Sequence, residues 1–219
     1  MSDQIIDLLI KGVQETLYMV IISTLAAYII GIPLGIIVFI TDKKGIRPNR
    51  IINFLVGIII NVLRSVPFLI LLVAIIPFTR LIAGTTIGVD ATIVPLVVAA
   101  GPFVARMVES SLKEVDKGVI EAARAMGASD LQIVFKVLIP EAKPSLLVGV
   151  TISAATILGY SAMAGFVGGG GLGAIAINYG YYRYKTNIML ITCAILVLIV
   201  QIIQEAGIRF VNKTDKRLK

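Results

Sequence analysis

Histidine and tryptophan are absent from this chain, and cysteine occurs once in 219 residues. Without histidine, and with one cysteine, no catalytic constellation can be drawn and no metal site is expected, which sets a membrane enzyme aside. Cys193 lies inside the last apolar run and cannot form an intrachain disulfide. Charge is scarce as well. Charged residues make up 15% of the chain, where a soluble domain carries about a quarter. The acidic side is the poorer one, with 13 Asp and Glu against 20 Lys and Arg.

Apolar residues fill that space. They make up 58% of the chain, with mean hydropathy +0.97. Uncharged runs extend over Thr16–Thr41, Ile51–Leu63, Ser65–Thr79, Ala91–Ala105, Ser145–Tyr182 and Thr186–Gln204. Several exceed the roughly 20 residues that cross a bilayer core. The alternation of a membrane barrel is missing, so the chain reads as an all-α integral membrane protein. Five spans are expected, over about 14–41, 50–79, 91–110, 144–165 and 187–210, in a single transmembrane domain covering 1–219. Gly165, Gly168 to Gly171 and Gly173 break the fourth uncharged run, since each lowers helix propensity by about 1 kcal/mol. The first apolar residues are interrupted by Asp3, Asp7 and Lys11, so no cleavable signal peptide is expected. Their spacing instead fits an interfacial helix leading into the first span.

Basic residues set the orientation. Lys43, Lys44, Arg47 and Arg50 share one side with Arg106, Lys113, Lys117, Arg124, Lys136 and Lys143. The tail adds Arg209, Lys213, Lys216, Arg217 and Lys219. Only Lys11, Arg80, Arg183 and Lys185 fall opposite, and Arg64 lies within a span. The positive-inside bias then places the N-terminus outside and the C-terminus in the cytoplasm. The net charge of +7 thus reads as loops beside a lipid surface. No basic segment is interleaved with exposed aromatics, so no nucleic acid is expected.

One cytoplasmic stretch, EAARAMGASDLQIVFKVLIP over 121–140, differs from its greasy surroundings. The segment Lys113–Met126 reads as helix, and Gly127 suits the left-handed position just past a helix end. Ser129 with Gln132 forms a capping box that opens a second helix. Ile133, Val134, Val137 and Leu138 give that helix an apolar face, and Pro140 is expected to end it. Pro144 then fits the first turn of the next span. Ala122, Ala123 and Ala125 leave one surface small enough for close approach, with Glu121 and Arg124 at its edge as charged hydrogen-bonding groups. From spacing alone, a docking element and an amphipathic hairpin lying on headgroups remain equally open.

Glu121-Ala122-Ala123, then Gly127, then Val137-Leu138-Ile139-Pro140 resembles the EAA signature of binding-protein-dependent ABC importer permeases; the last four residues depart from the usual I-x-L-P order. The resemblance covers about residues 15–210. It implies that 113–140 is a coupling segment, with Glu121, Ala122, Ala123, Arg124, Gly127 and Pro140 docking on a separate ATPase. It further implies two ATPase subunits, a second copy of this chain, an extracytoplasmic binding protein or lipoprotein, and a bacterial inner membrane. ATP and Mg would be bound by the partner ATPase, with no cofactor in this chain. The absence of a G-x-x-x-x-G-K-[ST] phosphate loop agrees with that division.

Within the membrane, Arg64 stands some fourteen residues into the second expected span, where a guanidinium costs about 2.5–3.5 kcal/mol unless it faces a cavity or the bundle interior. Pro67 frees a carbonyl near Leu63, which Arg64 or Ser65 is placed to satisfy. A structural role and a pathway role both remain open for this group. Similar R-S-x-P-F segments occur in amino-acid and methionine importer permeases. Tyr160, Ser161 and Met163 fall just before the glycines, where polar groups beside an adaptable thioether suit a gate or plain packing. The segment Gly159–Gly165 with the glycine run is similar to methionine-type permeases. Gly31 and Gly35 in the first span form a small-residue pair best read as helix packing. The resemblance implies ATP-driven import by alternating access, of methionine in the first place. A permease for a polar amino acid or a betaine is the alternative within the class. An ion-coupled secondary transporter is the alternative outside it; that class would normally show intramembrane carboxylates, and the expected spans have none beyond Glu109 near a boundary.

Overall fold

A computed structural model describes residues 3–214. Its regular elements among the described residues are all helical. Among the described residues, four helices, or five if a bent pair counts as one span, are long and apolar enough to cross a membrane. The tail residues Lys216, Arg217 and Lys219, counted above for orientation, lie outside the described residues.

Helix α1 spans Asp3–Thr41 without a break. At 1.5 Å per residue its 39 residues reach roughly 58 Å, nearly twice a bilayer core. The expected interfacial helix and first span are therefore one rod. Helix α5, Val89–Lys113, packs along it. Gly31 and Gly35 make that closeness possible. A Cβ on Gly31 would stand 2.5 Å from the Val104 side chain, and one on Gly35 would stand 2.6 Å from the Ala105 carbonyl. The small-residue pair is a packing device, as its spacing suggests.

The second expected span is the one the structure breaks. Helix α2, Arg50–Ser65, begins on Asn49, whose side chain accepts from the Ile51 and Ile52 N–H groups at 3.1 Å. It stops at Ser65, and the chain turns by 104° into α3, Phe68–Ala74. Pro67 explains the stop. A proline pushes the residue before it out of the helical region, and Val66 is extended at φ −80° and ψ 125°. A short α4, Ile76–Ala83, follows and ends on left-handed Gly84.

The helical pair around Gly127 also differs from expectation at both edges. Helix α5 already ends at Lys113, and Asp116 caps a separate α6, Lys117–Ala125, by accepting from the Gly118 N–H at 2.7 Å. Helix α7 is the single turn Asp130–Ile133. A wide turn over Val134–Leu138 then feeds directly into α8, Ile139–Ala164. Pro140 does not end a helix, and Pro144 does not begin one. Both lie in the first turns of α8. The wide turn closes on a bond from the Ile139 N–H to the Val134 carbonyl, which leaves room for a ring with no donor of its own.

Helix α8 ends where the glycines begin, as expected. A tight turn over Gly165–Val167 leads to left-handed Gly168, and a short α9, Gly171–Ile175, starts after left-handed Gly170. A second wide turn, Ala176–Tyr181, precedes α10, Thr186–Thr214. The core runs along α1, α5 and α8, with Met19, Leu96, Val104, Leu138, Ile157 and Leu172 fully enclosed.

Candidate functional site

Two groups of expected functional residues lie at different heights in the bundle. The first is the elbow at the end of α5. Two backbone bonds close the turn after α6: Gly127 N–H to the Arg124 carbonyl at 2.9 Å, and Ala128 N–H to the Ala123 carbonyl at 3.1 Å. Gly127 has φ +80°, so the turn needs the left-handed conformation that glycine adopts without strain. Both halves of the Ser129–Gln132 capping box form, at 2.9 and 3.4 Å. Ile133, Val134 and Leu138 are buried and hold the second arm to the bundle.

The alanines divide between two faces. Ala123 is buried among the chain's own core residues and anchors α6. Glu121 and Ala122 are exposed, together with Ala125 and Met126. Arg124 is committed within the chain, because its Nη2 donates to the Ile46 carbonyl in the loop after α1. The open surface of the elbow includes Glu121, Ala122, Ala125, Met126, Gly127 and, past the turn, Leu131 and Phe135, and Arg124 remains exposed beside its internal bond. Pro140 is exposed as well, in the first turn of α8.

The second group flanks the bend between α2 and α3. Arg64 is exposed at the last turn of α2 and makes no hydrogen bond or ion pair with a described residue. It faces away from the interior of this single chain. Ser65 donates to the Asn61 carbonyl at 2.8 Å, two residues before the Leu63 carbonyl freed by Pro67. Phe68, immediately after the bend, stacks on Tyr160 of α8 with ring centroids 4.5 Å apart and planes 8° from parallel. The structure thus joins the Pro67 segment to Tyr160. Ser161 is turned inward and closed on the Leu158 carbonyl at 2.8 Å, whereas Met163 is half exposed. Of the three residues before the glycines, Ser161 therefore reaches no open surface.

Two constellations were not anticipated from the sequence. Near the C-terminal end of α5, Glu109 is 6% exposed. It takes Arg106 at 2.5 Å and Lys113 at 2.6 Å, and Lys113 also meets Asp42 at 3.4 Å. The spacing of Arg106, Glu109 and Lys113, three and then four residues apart, is the helical ion-pair pattern and carried the signal. The Lys44 backbone N–H donates to the Asp42 carboxylate and, with Lys113 beside it, holds that carboxyl below its usual range. At the far end of α5, Glu15 and Thr16 of α1 accept from the Gly171 and Leu172 N–H groups at 2.8 and 2.9 Å. They cap α9 and tie the glycine loop to α1. Thr92 adds a bond to the Gly169 carbonyl at 3.2 Å.

A chain of this architecture can bend at Pro67 and present an elbow, but it carries no phosphate loop with which to capture nucleotide energy. Comparison with known proteins agrees with that arrangement. Residues 31–213 match the family of binding-protein-dependent transport system inner membrane components. The probable D-methionine transport system permease protein MetI of Vibrio cholerae is 53% identical over 211 residues, covering 96% of this chain and 94% of that one. The D-methionine transport system permease protein MetI of Escherichia coli K12 is 51% identical over 165 residues, covering 75% and 76%. Among solved structures, an inward-facing MetNI methionine ABC transporter superposes with TM-score 0.97 at 49% identity, covering 99% of this chain and all of that one. An amino acid ABC transporter solved with histidines shares the fold at TM-score 0.78 and 21% identity, covering 94% of each chain. By the extent of these matches, the chain belongs to the binding-protein-dependent transport system inner membrane components.

Proposed function

We propose that this chain is the membrane-spanning subunit of an ATP-driven importer of methionine. The observation that carries the reading is the elbow at 117–138. It is a helix, a glycine turn and a capped second arm, joined to α5 by a short loop and running on into α8, with Met126, Leu131 and Phe135 left 82%, 70% and 62% exposed. Large apolar side chains beside Glu121 at a polar turn suit a protein partner. A permease without a nucleotide site needs that partner to be an ATPase. Two ATPase subunits would engage two copies of the elbow, so a second copy of this chain is required. Exposed Ile51, Phe54, Leu55 and Val62 on α2 suit contact with that copy or with lipid.

The bias of basic residues supports an elbow in the cytoplasm and an N-terminus outside, in a bacterial inner membrane. The glycine loop then faces outward, where a binding protein would deliver substrate. Closure of the ATPases draws the elbows together and shifts the spans between inward-open and outward-open states; hydrolysis resets them. Each ligand acts by its differential affinity for the two states. Methionine as the substrate rests on the relatives and on the segments around Pro67 and Tyr160 that resemble methionine permeases. The test is flux into vesicles holding this chain, its co-purifying ATPase and the binding protein. Labelled methionine should enter on ATP while glutamine and betaine do not. Preferential flux of either competitor would refute methionine as the cargo.

A further inference from the structure

A line of polar contacts, joined at one point by the backbone of the loop after α1, runs from the elbow to the bend in the broken span. It starts where Arg124 of α6 donates to the Ile46 carbonyl. Four residues earlier in that loop, Asp42 meets Lys113 at 3.4 Å. Lys113 donates to Glu109 Oε1 at 2.6 Å, and Glu109 Oε2 accepts from Arg106 at 2.5 Å. The second terminal nitrogen of Arg106 donates to Asn61 Oδ1 at 2.7 Å. Asn61 also accepts, through its carbonyl, the hydroxyl of Ser65. Directly beyond Ser65 the chain turns by 104°.

Packing alone does not account for this line. A buried ion cluster is weak evidence for stability, because desolvation offsets most of the attraction. What it supplies is a directional hold. Helix α2 needs one, since Ile60 is its sole buried residue among 16. At its first turns α2 is pinned to α1 by Asn53 Nδ2, which donates to the Val38 carbonyl at 2.8 Å. Eight residues further on, roughly 12 Å along the helix axis, Asn61 is gripped by Arg106. Pinned near one end and gripped near the other, a loosely packed helix behaves as a lever whose far tip is the bend.

We propose that Asn61 and Glu109 are positioning residues for transport: they transmit displacement of α6 to the bend between α2 and α3. The proposal rests on the reading of α6 as the ATPase-docking helix. It assigns Glu109 the hub, because one carboxylate joins the cation facing the α1–α2 loop to the cation facing α2. It assigns Asn61 the output, because its side chain is the acceptor through which α5 holds the end of α2.

The experiment measures solute moved per ATP hydrolysed by the complete complex in vesicles. A merely structural defect lowers uptake and hydrolysis together by reducing the number of working complexes, and leaves their ratio alone. Asn61→Leu, at an exposed position, and Glu109→Gln, which keeps the shape, should each lower the ratio about fivefold or more, the low end for coupling between sites, while hydrolysis persists. Asn61→Asp keeps an acceptor for Arg106 and should restore the ratio. An unaltered ratio in Asn61→Leu, or a parallel loss of uptake and hydrolysis in both disruptive variants, overturns the proposal. A wild-type complex that moves no solute on ATP overturns the reading of α6 itself, which is a separate outcome.

Discussion

Two of the glycine turns in this molecule, at Gly127 and at Gly165–Gly173, use the same residue for different physical reasons. At Gly127 a Cβ would meet nothing within 4 Å, yet φ is +80°. The requirement there is conformational, and space is plentiful. At Gly173 the reverse holds. A Cβ would stand 2.3 Å from the Ala162 carbonyl oxygen and 2.6 Å from the Ala162 Cα. The glycine is the contact through which α9 lies against the end of α8. Gly165 is in the same position from the other side, 2.4 Å from the Gly173 carbonyl carbon. One turn aims an elbow; the other lets two backbones touch. Glycine in a transporter sequence therefore says little about role until its φ and its neighbours are known.

That contrast yields two predictions of unequal size. Gly173→Val should be the more damaging, because no side chain can yield: the obstacle is backbone, and overpacking of this kind costs about 1–3 kcal/mol and occasionally more. Loss of folded permease in detergent, read by size exclusion, is the expected result, and a monodisperse variant with native stability would show that α8 and α9 separate easily. Gly127→Val should cost less, about 1–2 kcal/mol for a left-handed residue with a Cβ, and should leave the bundle folded. Gly127→Asn, which tolerates that conformation, should recover most of the loss. Thermal unfolding of the three proteins orders them, and equal damage from Asn and Val would mean that the elbow is limited by space after all.

Much of this fold was legible before any coordinates. The long apolar runs located α1, α5, α8 and α10, because a bilayer demands helices of a length that composition alone reveals. The capping box and Gly127 were readable because their signals are local, set by hydrogen bonds within a few residues. The 104° bend inside the second expected span is not legible in the sequence. Pro67 was visible, but apolar runs on both sides of Arg64 looked continuous, and hydropathy carries no direction. Pro140 misled in the opposite sense, since a widened turn accommodates a proline that would otherwise end a helix. The Glu109 hub was overlooked because two of its links reach Asp42 and Asn61 across the fold. Only Arg106, Glu109 and Lys113, on one face of α5, were there to be seen. Glu15 and Thr16 pair with Gly171 and Leu172 across 156 residues of sequence, and no local pattern announces such a cap.

The central claim is that this chain has no energy source of its own and takes motion through the elbow from an ATPase. Vesicles containing the permease and ATPase, with ATP inside and binding protein outside, provide the direct measurement. Labelled methionine should accumulate against its gradient on ATP, and a proton or sodium gradient without ATP should produce no accumulation. Concentration of methionine by the purified permease alone, driven by an ion gradient, would contradict the account.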